Sequence, residues 1–320
     1  MRNVRFGSAL VAFVVAAAAV TLGGCDIGQL TVGTTAKVLA RAQPAIQQES
    51  DYQLAHDAIP GALKTVEGFW IVKPDDENLL KILTEGYCQY GTAFIEDDWE
   101  VAKFAKQLDQ IEYNNARATH IFTRCLNYAL LQLGGDWQHD LFESNDKVAA
   151  LIRNTDADKR DQMMWAALAL GSIVNHNLNR IELVAYVPTV QAILERVISI
   201  DKAHAPARAD YAALPHVALG MLYSAAGAQL GGKPKQAREE FELALKLTAS
   251  KDHPEGRLLL ARALMAYRVG LQNNDRKLFH DELKKVLETP PSIWPEQRLA
   301  NEVAHRRARR YLTHEKELFQ

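Results

Sequence analysis

The chain has 320 residues, 48% of them hydrophobic and 24% charged, and a formal charge of −2. That balance supplies apolar surface for a substantial core and excludes a largely disordered chain. So small a net charge offers no field for a polyanion, and no nucleic-acid partner is expected.

The N-terminus opens with MRNVRFG, which carries Arg2 and Arg5 and no acid. SALVAFVVAAAAVTL follows, an apolar run of about fifteen residues, short for a membrane span and right for a signal-peptide core. Next comes LGGC. A leucine three places before a cysteine, with small residues between, resembles the bacterial lipobox: small side chains admit a peptidase, and the Cys25 thiol takes the lipid. The expected organisation is a signal peptide over residues 1–24, a tether over 25–33 headed by lipidated Cys25, and a helical domain over 34–320. Several acyl chains on one cysteine anchor stably where a single chain binds only marginally. Asp26 resembles the signal that keeps a lipoprotein in the inner membrane, facing the periplasm. No later segment is expected to cross a bilayer.

From there the pattern is helical. TAKVLARAQPAIQQES and YQLAHDAIPGALKTVEGFWIV carry apolar residues at three- and four-residue intervals, interrupted by Pro44 and Pro60. Pro74, Pro188, Pro206, Pro215, Pro234, Pro254, Pro290 and Pro291 fall between amphipathic runs and predict helix-to-helix connections. Residues 136–147 read as a loop with a short turn, and 201–215 as a longer connector. Cys88 and Cys125 lie in the helical stretches GYCQYGTAF and TRCLNYALL. Each suits a small core position, and an oxidising compartment also permits a bridge between them.

A tetratricopeptide register fits two regions. With Ala62 at position 20 of a 34-residue unit, Val66 and Pro74 fall where a bulky residue and a proline belong, Phe69 stands where a small one does, and Leu80, Leu83 and Tyr87 continue the period. Leu219, Gly220 and Tyr223 match a first helix and Ala237, Phe241 and Ala244 a second, with about five extra residues between them. VQAILERVISIDKAHAP is a weaker third match. The fold class is therefore all-α, tetratricopeptide-like hairpins in an irregular α-solenoid.

Between those two helices lies GAQLGGKP, residues 227–234, which lacks only the final hydroxyl of a phosphate-binding loop. Such a loop must follow a strand and open a helix, with Ser or Thr on magnesium. Here a helical pattern precedes it and Pro234 replaces the hydroxyl, so it reads as a hairpin turn. Other chemistry is equally absent from the sequence pattern: no metal spacing among the ten histidines, no nucleophile elbow, hence no enzyme, cofactor or metal is expected. His120 and His216 read as structural. Glu96, Asp97 and Asp98 read as a solvated turn closing a helix before Trp99. Arg306, Arg307, Arg309 and Arg310 read as a solvated helix with ion pairs, or less simply as a contact for anionic lipid or an acidic partner. Trp70, Tyr87, Tyr90, Phe94 and Trp165 cluster in the first half; with Tyr223 they either fill the core or line a groove or pore.

The ordered segments ALKTVEGFWIVKPDDENLLKILTEGYCQYGTAFIEDD, ARATHIFTRCLNYALLQL, LPHVALGMLYSAAGAQLGGKPKQAREEFELALKL and EQRLANEVAHRRARRYL closely resemble the T-component family of TRAP transporters, across residues 50–313. The resemblance implies a periplasm-facing lipoprotein that forms a homotrimer and binds the periplasmic solute-binding protein, the P-component. It also implies a cavity or pore through each subunit that meets the partner's ligand cleft; the aromatic residues, if they line it, suit a small, apolar solute. The alternative expectation is a generic tetratricopeptide lipoprotein that scaffolds envelope assembly.

Overall fold

The computed structural model describes residues 27–225 and 232–319. The expected signal peptide, Cys25, Asp26 and the glycines of the 227–231 stretch lie outside the described residues.

The first described element is α1 (Ile27–Ala42), which occupies most of the expected tether. Two glycines weaken this helix by about 1 kcal/mol each. Burial of Val32, Gly33 and Ala36 against the body outweighs them, so α1 docks through this one face. A single turn at Pro44–Gln47 leads to α2 (Tyr52–Val72), capped by the Asp51 carboxylate, which accepts from the N–H groups of Gln53 and Leu54 at 2.9 and 3.0 Å. Asp76 caps α3 (Glu77–Tyr90) in the same way. A widened turn, Gly91–Ile95, joins α3 to α4 (Glu96–Phe104), with the Glu96 N–H reaching back five residues to the Gly91 carbonyl.

After α5 (Leu108–Leu133) come a short helix, Gly135–Asp140, and α6 (Asn145–Asn154). The expected loop at 136–147 is thus mostly helical, pinned by buried Trp137, whose Nε1 donates to Thr155 Oγ1 at 2.9 Å. Then follow α7 (Arg160–Asn175), α8 (Val187–Ala203), α9 (Ala209–Tyr223), α10 (Pro234–Leu247), α11 (Leu259–Gln272), α12 (Arg276–Glu288) and α13 (Arg298–Thr313). Among the described residues there is no strand, and the fold is all-α. Residues Ile181–Ala203 are long and apolar enough to match a membrane span, contrary to the sequence expectation. Val190, Ile193, Leu194, Val197 and Ile200 are buried in the protein core, which accounts for that apolar content.

Helices adjacent in sequence pack side by side from α7 to α13, the nearest-neighbour order of a solenoid. Small residues bring them together. A Cβ on Gly220 of α9 would meet three ring atoms of Phe241 of α10 at 2.8–2.9 Å, and one on Gly270 of α11 would meet Phe279 Cβ of α12 at 2.9 Å. Gly220→Leu should therefore overpack a buried ring and lower stability by about 1–3 kcal/mol. Lys233 is a useful contrast. Its backbone N–H donates to the Tyr223 carbonyl at 2.9 Å and its Nζ lies 4.8 Å from the Tyr223 ring centre. Lys233→Ala keeps the backbone bond and should lose less than about 1 kcal/mol. Urea unfolding of both variants checks the pair, and equal midpoints would refute the close-packing account.

Two prolines depart from the sequence reading. Pro60 and Pro215 lie inside α2 and α9, so the 201–215 connector shrinks to residues 204–208. Proline lacks the N–H that would satisfy the carbonyl four residues back. For Pro215 that carbonyl belongs to Tyr211, and buried Arg160 supplies the donor: its Nη2 bonds Tyr211 O at 2.8 Å while its Nε and Nη2 hold Asp201 at 2.8 and 2.6 Å. Cys88 and Cys125 are joined in a disulfide that links α3 to α5.

Candidate functional site

The solenoid closes on itself. Besides its neighbours α11 and α12, α13 packs against the Pro44–Gln47 turn and α2, far back in the chain. An apolar cavity of about 280 Å³ lies between these parts. Leu39 and Ile46 wall it from the N-terminal side, Ile59, Leu63 and Val66 from α2, Gly86, Tyr90 and Phe94 from α3 and the widened turn, Trp165 from α7, Leu214 from α9, Leu260 from α11, and Leu299, Ala300 and Val303 from α13. Its single carboxylate, Asp210, is already engaged: Gln297 Nε2 donates to it at 2.8 Å and Arg208 Nε at 3.1 Å. What remains is a wall of hydrocarbon, aromatic rings and a few amides, a surface that selects by apolar area.

Charged groups close the ring outside the cavity. Asp97 of α4 is fully buried, and Arg306 Nε and Arg310 Nη2 of α13 donate to its two oxygens at 2.5 and 2.6 Å. Tyr52 of α2 donates to the same carboxylate at 3.1 Å. Glu100 accepts from Arg310 at 2.6 Å and from Tyr311 at 2.8 and 2.9 Å. Arg307, 2% exposed, donates to the Thr92 carbonyl at 2.7 Å, inside the widened turn whose irregular bonding leaves a carbonyl free for it. Burial alone would raise the Asp97 pKa; the Arg310 and Arg307 charges and the arginine hydrogen bonds outweigh it and hold the carboxyl below its usual range. Two readings from sequence are corrected here. The acidic triplet opens α4 and buries its middle member, and two of the four arginines are withdrawn from solvent to meet it; Arg306 and Arg309 stay exposed.

Of the six aromatic residues named from sequence, Tyr90, Phe94 and Trp165 line the cavity. Tyr90 carries its hydroxyl toward Arg117, 3.4 Å away. Trp70, Tyr87 and Tyr223 are not among its lining residues. Tyr87 and Tyr128, stacked with centroids 6.0 Å apart, donate instead to buried Glu67 at 2.8 and 3.0 Å, and Trp70 packs edge-on against Tyr128. Burial works against the Glu67 charge, but the bonds from Lys64, Tyr87 and Tyr128 and the Arg124 charge prevail, and its pKa is lowered. Tyr223 packs beneath Lys233. His216 is buried against Glu240 at 2.6 Å, while His120 is exposed. The aliphatic lining, Leu39, Ile46, Ile59, Leu214, Leu260 and Val303, has no signal in the sequence that separates it from ordinary core.

A family model for the TRAP transporter T-component matches residues 48–319, from just before α2 to the end of the described chain. This chain belongs to that family. Comparison with curated proteins returns no match. The T-component is an accessory subunit of a transport system of the cell envelope. In this T-component the match takes in the charged closure and most of the cavity wall; α1 and the Pro44–Gln47 turn precede it.

Proposed function

We propose that this T-component is a periplasm-facing lipoprotein, anchored through Cys25, that acts as a homotrimer, binds the solute-binding P-component of its TRAP system and takes an apolar solute into its cavity. The observation that carries the reading is the apolar cavity, open at one edge, because a core left unfilled behind so much hydrocarbon serves a ligand better than it serves stability. Moving an apolar solute from one apolar cleft to another requires little net desolvation, so transfer needs affinity matching and no bound energy source. Asp26 favours the inner membrane.

Binding of a dansyl-labelled fatty acid tests the cavity. Ala300, half-buried on α13 in the cavity wall, has room to become a plug. Ala300→Trp should weaken probe binding about tenfold or more, a difference of at least about 1.4 kcal/mol, with the melting temperature little changed. No binding to the unaltered protein, or equal binding by the variant, contradicts the assignment.

A further inference from the structure

Helix α1 has two unlike faces. One is docked: Val32, Gly33 and Ala36 are buried, and a Cβ on Gly33 would meet Lys73 Nζ at 2.7 Å. The other carries Ile27, Leu30 and Val38, which are 77%, 67% and 61% exposed. At 3.6 residues per turn these three fall on one stripe with Thr31, Thr34 and Arg41. The threonine hydroxyls donate to the Ile27 and Leu30 carbonyls at 2.8 and 3.0 Å, so they need no water as acceptor. The only charges in α1 are the exposed Lys37 and Arg41, and no acid occurs between Ile27 and Gln48. Apolar side chains along a stripe with cations at one end make an interfacial helix suited to anionic lipid.

We propose that this outer face of α1 lies on an anionic bilayer surface and so fixes the orientation of the whole subunit. The inference rests on the lipid-anchor reading above. Ile27 stands two residues after Cys25, and two residues span at most about 7 Å, so acyl chains on Cys25 bring the start of the stripe to the headgroups. Because the opposite face is docked on the body, the subunit is held as a rigid block. The end of α1 and the turn after it supply Leu39, Ala42 and Ile46 to the cavity wall, which places the cavity beside the membrane.

The test uses the full lipoprotein in vesicles of phosphatidylethanolamine and phosphatidylglycerol. With Cys25 acylated and Cys88 bonded to Cys125, Val38→Cys provides a single free thiol for a bimane label, and Lys251→Cys, exposed between α10 and α11, provides a control. Doxyl-labelled lipid should quench the label at 38 at least about twofold more than at 251, and Lys37→Glu with Arg41→Glu should reduce that difference. Equal quenching at both sites in membrane-bound protein overturns the proposal. So does label-to-label contact at position 38 without lipid quenching, which assigns the face to a second copy. The mass of the Cys25 peptide reports acylation separately. If it carries no acyl mass the anchor reading fails by itself, and the same labels in a Cys25→Ser background decide the α1 contact: quenching at 38 upholds it and its absence refutes it.

Discussion

Replacing Arg307 with alanine is expected to lower the unfolding free energy by about 3–5 kcal/mol, the range for removing one partner from a buried ionic network. The residue is 2% exposed, its Nη2 holds the Thr92 carbonyl, and its guanidinium lies within 4 Å of Glu96, Asp97 and Glu100. Alanine removes that charge from beside three acids and leaves the half-buried Thr92 carbonyl without this donor. Asp97→Ala should act similarly from the other side, taking the carboxylate from Arg306 and leaving Arg310 with Glu100 alone. Both variants also loosen α13 against α4, and α13 carries Leu299, Ala300 and Val303 of the cavity wall, so affinity for an apolar probe should fall with stability. Guanidinium unfolding followed by circular dichroism measures the first effect, and probe titration the second. An Arg307→Ala variant within about 0.5 kcal/mol of the unaltered protein would show that the closure is ornamental.

The same network sets an acid limit. The folded-state pKa of Asp97 lies below its unfolded value, as does that of Glu67, so the unfolded chain binds more protons as pH drops. The stabilisation is fully present above the ordinary carboxylate range and is lost as pH falls through the lowered folded values. Melting temperature should therefore be level near neutrality and decline below about pH 4. Asp97→Asn should flatten part of that decline, having already lost the group that titrates.

The second large effect concerns the disulfide. Cys88 and Cys125 are 37 residues apart, and closing a loop of that length restricts the unfolded chain by about 3–4 kcal/mol on the chain-entropy account. The Cys88→Ala, Cys125→Ala pair should unfold earlier by that amount, as should the unaltered protein under a strong reductant. Because Cys88 also lines the cavity, reduction should weaken probe binding as well. Unchanged stability under reducing conditions would mean that α3 and α5 are held together by packing alone.

The hairpin register was legible in the sequence because it is local: Gly220, Tyr223, Ala237 and Phe241 lie within one pair of helices, and the small residue and the ring meet as the spacing requires. Pairings across the chain were not. Asp97 and Arg310 are 213 residues apart, and each by itself reads as a solvated charge. Pro60 and Pro215 read as breaks because proline usually is one; a buried arginine on another helix, invisible to any local pattern, satisfies the carbonyl that Pro215 leaves open. The expected tether became α1 for a related reason, since a glycine-containing run gains nothing from propensity and much from the surface it docks on. Among the aromatic residues, type alone could not separate Tyr90 and Trp165, on the cavity, from Tyr87, which serves Glu67. That distinction depends on which face of α3 meets α7 and which meets α5.

Under the proposed function, the cavity of this T-component faces a solute-binding partner. Ala62 lines it yet is exposed, so a photo-crosslinking amino acid at that position stands at its open edge. Irradiation in cells should capture the periplasmic solute-binding P-component, and Ala300→Trp in the same chain should leave the protein folded. Capture of envelope-assembly proteins with no solute-binding protein among them would contradict the account.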